Sequence, residues 1–128
     1  MKLLLDTHIA LWAITDDVRL PRLAAALISE AANEIFVSAA SIWEISIKHG
    51  LGRRNMPISG REALGYFRES GYRLLPITAE HAMSVETLPS VHADPFDRIL
   101  AAQSRVEPLR LLTHDTVLAG YGELIMLV

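Results

Sequence analysis

The sequence predicts an α/β fold in which helices cover both faces of a mainly parallel sheet of about five strands. Short apolar runs alternate along the chain with longer amphipathic stretches, as expected where strands and helices follow one another. The short runs are apolar almost throughout, which is typical of strands buried on both faces. Because the chain has 128 residues, 51% of them hydrophobic, we expect one globular domain that covers residues 1–128.

The predicted strands are runs rich in leucine, isoleucine and valine, at residues 3–6, 35–38, 73–76, 110–113 and 124–127. We expect the last of them at an edge of the sheet. The stretches between them have the amphipathic pattern of helices, at residues 21–32, 41–51, 61–69, 78–88 and 94–106. Pro21 fits the first position of its helix. Glycines and a proline mark residues 50–60 as a long loop.

Capping residues indicate where three of these helices begin. Asp94 followed by Pro95 is the strongest signal, because aspartate caps a helix and proline suits its first turn. Thr78 is a second candidate cap. Ser41 and Glu44 have the spacing of a capping box, in which each side chain bonds the other residue's backbone N–H.

Composition and charge limit the classes of function. The net charge is −3, from 15 acidic and 12 basic residues, so a nucleic acid would need a local basic patch or bound cations. The absence of cysteine excludes disulfides and thiolate metal sites, and the five histidines lack the close spacing of a zinc site. The sequence starts without a signal-peptide pattern and has no run long enough to span a bilayer. We therefore expect a soluble, cytoplasmic protein that does not associate with a membrane.

Four acidic residues follow predicted strands or lie in the helices after them. Asp6 ends the first strand, and Glu44 lies about one and a half turns into the helix after the second. Asp97 is in the first turn of the helix that starts at Asp94, and Asp115 comes just after the fourth strand. Because the carboxyl ends of parallel strands meet at one edge of a sheet, we expect the four acids to converge there. Clustered carboxylates repel one another, and Mg²⁺ or Mn²⁺ with oxygen ligands relieves that repulsion, so the sequence predicts a metal site.

Each acid also has a local explanation. Asp6, Asp97 and Asp115 stand near helix N-termini, where aspartate is favoured. Glu44 precedes Lys48 by four residues, the spacing of an exposed ion pair. Asp94 either adds a further metal ligand or only caps its helix. Capping and pairing explain the acids singly, but neither explains why all four should meet.

Four segments in order carry a family resemblance. They are residues 3–8 (LLLDTH), 38–45 (SAASIWEI), 92–103 (HADPFDRILAAQ) and 112–115 (LTHD). On these segments the sequence resembles the PIN domains, and within them the VapC-type toxins of bacterial toxin–antitoxin pairs. The resemblance covers essentially the whole chain, and its third segment is the most distinctive.

The resemblance implies a PIN-like three-layer α/β/α sandwich whose central, mainly parallel sheet has about five strands. It implies that Asp6, Glu44, Asp97 and Asp115 form an acidic Mg²⁺ or Mn²⁺ site with endoribonuclease activity. Water would attack phosphorus and leave a 5′-phosphate and a 3′-hydroxyl. The resemblance further implies a homodimer and a cognate antitoxin protein that blocks the active site.

Four residues are candidate contacts with RNA. Arg53 and Arg54 end the densest basic stretch, where they would meet the phosphate backbone or would only be solvated. Arg98 either contacts RNA or neutralises the neighbouring acids. Thr113 either bonds the acids or metal-bound water, or is an ordinary residue at a strand end.

The sequence leaves three other functions open. A housekeeping PIN nuclease that processes RNA would share the site and lack a neighbouring antitoxin gene. A non-catalytic metal-binding signalling or interaction domain would also have an acidic pocket. A receiver-like domain of that class would carry a lysine near its last strand, whereas Lys2 and Lys48 are the only lysines. A catalytically inactive PIN scaffold is disfavoured by the complete set of acids.

Overall fold

A computed structural model of the protein describes residues 1–54 and 56–128. Within those residues one sheet contains β1 (Lys2–Leu5), β2 (Glu34–Ser38), β3 (Arg73–Leu75), β4 (Arg110–Thr113) and β5 (Ile125–Leu127). The strand order is β3-β2-β1-β4-β5, and every pairing is parallel. The predicted α/β fold with a parallel sheet is confirmed, and β5 lies at an edge as expected.

The central strand β1 is buried because helices cover both faces of the sheet. Leu3 and Leu5 belong to one hydrophobic cluster and Leu4 to another, since successive side chains of a strand point to opposite faces. Leu112 and Leu111 of β4 divide between the same two clusters. The molecule therefore has the three layers that the family resemblance implies.

The helices of the described residues are α1 (Thr7–Ile14), α2 (Arg22–Ser29), α3 (Ala39–Gly50), α4 (Gly60–Glu69), α5 (Ala79–Ser84) and α6 (Pro95–Val106). Ala24 of α2 and Phe67 of α4 pack in the cluster that contains Leu3. Leu100 of α6 packs with Leu4 on the opposite face. Short 3₁₀ turns follow α5 at Val85–Thr87 and β4 at Thr116–Tyr121.

Two of the predicted helix starts are confirmed. The Asp94 carboxylate accepts a hydrogen bond from the Phe96 N–H at 2.8 Å, and Pro95 is the first residue of α6. The Thr78 hydroxyl accepts from the His81 N–H at 3.2 Å, and the His81 ring accepts from the Thr78 N–H in return. α5 is shorter than predicted, because the chain tightens into a 3₁₀ turn at Val85.

The predicted capping box of Ser41 and Glu44 is wrong. α3 begins directly at the end of β2, where the Ser38 hydroxyl accepts from the Ala40 N–H at 3.0 Å. Ser41 therefore lies inside the first turn of the helix, and its hydroxyl is 2.9 Å from the Thr7 hydroxyl. The Glu44 side chain is free to point away from the helix N-terminus.

The first two helices differ from their predictions. α1 is absent from the predicted ranges, because its sequence is apolar almost throughout and lacks an amphipathic pattern. α2 starts one residue after Pro21 and ends at Ser29 instead of residue 32. The Asn33 amide donates to the Leu27 carbonyl at 2.9 Å, which ends the helix and turns the chain toward β2.

The loop predicted at residues 50–60 is present between α3 and α4 in the residues that the structure describes. Asn55 lies outside the described residues. Among the described helices, none combines the length and the apolar character needed to cross a bilayer.

Candidate metal centre

Asp6, Glu44, Asp97 and Asp115 line one open cavity of about 580 Å³ at the carboxyl ends of the central strands. Asp94 lines it as well. The structure thus brings together the acids that the sequence singles out, although they come from four separate segments of the chain.

Asp6 follows β1 and is 6% exposed. Burial raises the pKa of its carboxyl, and Glu44 raises it further, while the Thr113 hydroxyl and His8 lower it in part. The Thr113 hydroxyl donates to Asp6 Oδ2 at 2.6 Å and accepts from the Asp115 N–H at 3.0 Å. The Thr113 hydroxyl therefore links two of the four acids: it bonds the side chain of Asp6 and the backbone N–H of Asp115.

Glu44 projects from α3 into the cavity wall and is 4% exposed. The Lys48 ammonium donates to Glu44 Oε2 at 2.5 Å. The ion pair that the spacing predicts is present, but it is largely buried and Lys48 also lines the cavity. Surface pairing alone therefore does not account for Glu44.

Asp97 lies in the first turn of α6, close to the carboxylates of Asp6, Asp94 and Glu44. Burial and the nearby carboxylates of Asp6, Asp94 and Glu44 raise its pKa to about 7, against a smaller opposing effect of His92. A bound cation would favour the ionised form of this carboxyl and so lower its pKa.

Asp115 shows how capping and site formation can share one side chain. Its Oδ1 accepts from the Val117 N–H at 2.9 Å and caps the 3₁₀ turn after β4. Its Oδ2 lies 3.4 Å from the His92 ring, toward the other acids. The capping explanation is correct for this residue and leaves one oxygen for the site.

Sequence reasoning missed His92. Its Nε2 lies 3.2 Å from Asp97 Oδ2, and one ligand atom each of His92, Asp97 and Asp115 lie within 4.8 Å of one another. The spacing of a zinc site relates histidines to one another, so it does not reveal a histidine that lies beside carboxylates. The useful signal was the position of His92 just before Asp94, in the most distinctive segment of the resemblance.

The mouth of the cavity has aromatic and cationic residues. The Arg19 guanidinium carbon lies 5.3 Å from the centre of the Trp12 ring, over its face. The Arg19 side chain also bonds the Asp17 carboxylate at 2.8 Å. His8 and His114 flank Trp12 with ring centres 5.8 and 6.3 Å away.

The predicted RNA contacts fall in different places. Arg53 and Arg54 are exposed on the loop after α3 and are not among the residues that line the acidic cavity. The Arg98 guanidinium donates to the carbonyls of Val85, Pro89 and His92 and to the Tyr121 hydroxyl, all at 3.2–3.3 Å. The RNA contacts of these arginines stay predictions.

The donor set fits a hard divalent cation. Its members are carboxylate oxygens, which Mg²⁺ and Mn²⁺ prefer, and their crowding is unfavourable without a positive charge. The partly buried walls would strengthen the attraction between such a cation and a phosphate.

A family model described as "PIN domain" matches residues 3–124. No curated protein matches the sequence.

Three solved structures have a similar fold. VapBC2 from Rickettsia felis, bound to a DNA fragment from its promoter, has a TM-score of 0.70 at 16% identity and covers 100% of this chain and 98% of that one. VapBC-1 from nontypeable Haemophilus influenzae has a TM-score of 0.61 at 18% identity, covering 90% and 87%. FitAcB from Neisseria gonorrhoeae has a TM-score of 0.58 at 19% identity, covering 91% and 89%. At these identities the similarity shows the fold.

Proposed function

Because this chain belongs to the PIN-domain family, we propose that it is a divalent-metal-dependent endoribonuclease and the toxin of a VapBC-type toxin–antitoxin pair. The observation that carries the proposal is the meeting of Asp6, Glu44, Asp97 and Asp115 in one cavity. An open cavity admits a polymer, and four carboxylates in it would repel a phosphate unless a cation were bound.

The four carboxylates would hold Mg²⁺ or Mn²⁺, which supplies Lewis acidity for the phosphate and for an attacking water. Thr113 holds the Asp6 carboxylate in place, and the cap at Val117 fixes one oxygen of Asp115. In the reaction the water oxygen bonds to phosphorus and the bond from phosphorus to the 3′-oxygen breaks. The products are a 5′-phosphate and a 3′-hydroxyl.

RNA cleavage by purified protein tests the enzymatic part of the proposal. We expect cleavage of structured or single-stranded RNA with Mg²⁺ or Mn²⁺, none with EDTA, and at least a hundredfold loss in Asp6→Asn and Asp97→Asn, on the order of one lost electrostatic contact in a transition state. Asp16→Asn is the matched control, because Asp16 is exposed and outside the cavity. Cleavage that survives both cavity variants would contradict the assigned site.

The toxin role rests on the sequence resemblance and on the fold shared with VapBC structures. It requires a partner that covers the cavity. We expect the product of a short adjacent gene to copurify with this chain and to abolish cleavage. An active enzyme with no such neighbour would instead be a housekeeping RNA-processing nuclease.

An apolar patch supports the expected homodimer. Trp43 is 57% exposed and Met83 66%, and Trp43 and Ile77 line one apolar groove. Exposed apolar patches of this kind are typical of protein interfaces. Light scattering should give a dimer mass for the wild type and a monomer mass for Trp43→Arg. Val18→Arg is the control, because Val18 is 99% exposed and outside this groove. A wild-type monomer would contradict the homodimer.

A further inference from the structure

The imidazole of His92 lies against the acids with a defined orientation. Its Nε2 is 3.2 Å from Asp97 Oδ2 and 3.4 Å from Asp115 Oδ2. By distance alone the ring has two possible roles. It either coordinates the cation together with these acids, or it holds their carboxylates in place from outside the coordination shell.

The second ring nitrogen separates these roles. His92 Nδ1 accepts a hydrogen bond from the Asp94 N–H at 3.0 Å, so this nitrogen carries no proton. A neutral imidazole has one N–H, which must then be on Nε2. A protonated Nε2 donates to carboxylates and has no lone pair for a metal, whereas a ligating histidine donates its other N–H outward.

The backbone of His92 is held as firmly as its ring. Arg98 donates to the His92 carbonyl at 3.3 Å, and the Tyr121 hydroxyl donates to the same carbonyl at 3.4 Å. Arg98 also donates to the Tyr121 hydroxyl at 3.2 Å. Val91 packs where a Cβ on Gly120 would lie, 3.1 Å from its nearest atom. The segment that carries His92 is therefore held in place, and the Asp94 N–H keeps Nδ1 on the side away from the acids.

We propose that His92 is a positioning residue that donates from Nε2 to the Asp115 carboxylate, lies against the Asp97 carboxylate, and does not bind the metal. The proposal rests on the metal site of the proposed function. In this role His92 holds Asp115 Oδ2 and Asp97 Oδ2 in place beside the cavity. Arg98 and Tyr121 act one step further out, by fixing the segment that carries His92.

Imidazole ¹⁵N NMR of the wild-type protein tests the proton position directly. In protein labelled at histidine nitrogens and held at pH 8 with EDTA, we expect His92 to carry its proton on Nε2 and none on Nδ1. The His92→Gln spectrum identifies the signals by their loss. The same pattern should persist after Mg²⁺ is added. Loss of the Nε2 proton on adding Mg²⁺, or a proton on Nδ1, would overturn the proposal.

Mn²⁺ affinity gives a second, independent readout. Gln at position 92 keeps an N–H donor near the place of Nε2, whereas Ala removes it. We expect Mn²⁺ binding within about threefold of wild type in His92→Gln and about tenfold weaker in His92→Ala, the scale of an outer-shell loss. His49→Gln is the control, because His49 lies outside the cavity. Equal weakening in both variants, or no weakening in either, would overturn the proposal.

These readouts are separable from failure of the nuclease. If Mn²⁺ binds and His92 behaves as expected but no RNA is cut, the positioning role stands and the enzymatic proposal fails. If Mn²⁺ does not bind the wild type at all, both fail together. Melting temperatures in EDTA show whether each variant is folded.

Discussion

The Asp97 carboxyl links the cavity to the stability of the protein. Its pKa is about 7 in the folded state, against about 4 for an aspartate in an unfolded chain. Between these pH values the metal-free folded protein binds more protons than the unfolded chain. The contribution of Asp97 to stability therefore falls as the pH rises from about 4 to about 7, and it stays low above that.

Asp97→Asn should accordingly stabilise the metal-free protein at pH 8, because the amide carries no charge to bury. We expect a melting temperature about 3–6 °C above wild type in EDTA, equivalent to a gain of about 1 kcal/mol, and a much smaller difference at pH 4. Circular dichroism at the two pH values measures both. A lower melting temperature at pH 8 than wild type would show that Asp97 is not under electrostatic stress.

Thr113→Val tests the hydroxyl that joins two acids. Valine matches the shape of threonine, so the change removes the donor to buried Asp6 and the acceptor of the Asp115 N–H with little change in packing. We expect a loss of about 1–3 kcal/mol in the free energy of unfolding from urea titration. Thr113→Ser keeps the hydroxyl and should recover most of it. No loss of stability in Thr113→Val would show that the hydroxyl does not stabilise the fold.

At the scale of single residues, the sequence predicted which residues lie at the site better than it predicted what their side chains contact. Asp6, Glu44, Asp97 and Asp115 were predictable because each has a simple relation to a strand end. His92 was not, because its contacts with Asp97 and Asp115 depend on how the segment before α6 folds back. Arg98 shows the same limit: sequence places it beside Asp97, yet its guanidinium turns to the carbonyls of the preceding segment.

Helix ends were predictable where the capping contact is local. Asp94 and Thr78 bond N–H groups two and three residues further on, so a short stretch of sequence carries the information. The capping box predicted at Ser41 was wrong because the start of α3 depends on where β2 ends. α1 was not predicted, because its buried and partly buried sides are both apolar and the sequence therefore shows no helical periodicity there.

The glycines of α4 offer a matched pair of substitutions. Gly65 lies in the middle of the helix with no atom near the place that an added methyl group would take, so Gly65→Ala should stabilise the protein by about 0.5–1 kcal/mol. Gly60 begins the helix against α3, and a Cβ there would overlap the Ser46 hydroxyl. That hydroxyl is bonded to the Ile42 carbonyl at 2.8 Å.

Gly60→Ala should therefore destabilise the protein, by about 1–3 kcal/mol. Urea denaturation of the two variants at one pH compares them directly. Stabilisation by both would show that α4 can move away from α3 at no cost.

For the molecule as a whole, the sequence predicted the layers and the parallel sheet but contained no rule for strand order. Apolar runs and amphipathic stretches indicate which residues of each strand or helix are buried, but they do not indicate which strands are neighbours. Which strands pair depends on crossovers between distant segments. β1 lies in the centre because β2 and β4 add to its two sides. The cavity mouth was unpredictable for the same reason, since Arg19 reaches it from the turn after α1.

Metal binding should stabilise the whole molecule in a pH-dependent way. Only ionised carboxylates bind Mg²⁺ well, and the raised pKa values of Asp6 and Asp97 mean that a lower pH leaves fewer of them ionised. At pH 8, Mg²⁺ at a hundred times its Kd should add about 2.7 kcal/mol, and the gain should shrink at pH 5. Differential scanning fluorimetry with and without Mg²⁺ measures this. Asp97→Asn should remove most of the gain.

The bond between Thr113 and Asp6 spans 107 positions of the chain. A ribosome adds about 5–20 residues per second, so the interval between synthesis of these two residues is about 5–20 s. Throughout that interval the nascent polypeptide holds Asp6 without Thr113 or Asp115, and β1 without its neighbour β4. Under the proposed function, the nascent chain is an incomplete, inactive ribonuclease during this interval, and the hazard to cellular RNA begins only after Thr113 and Asp115 have been synthesised.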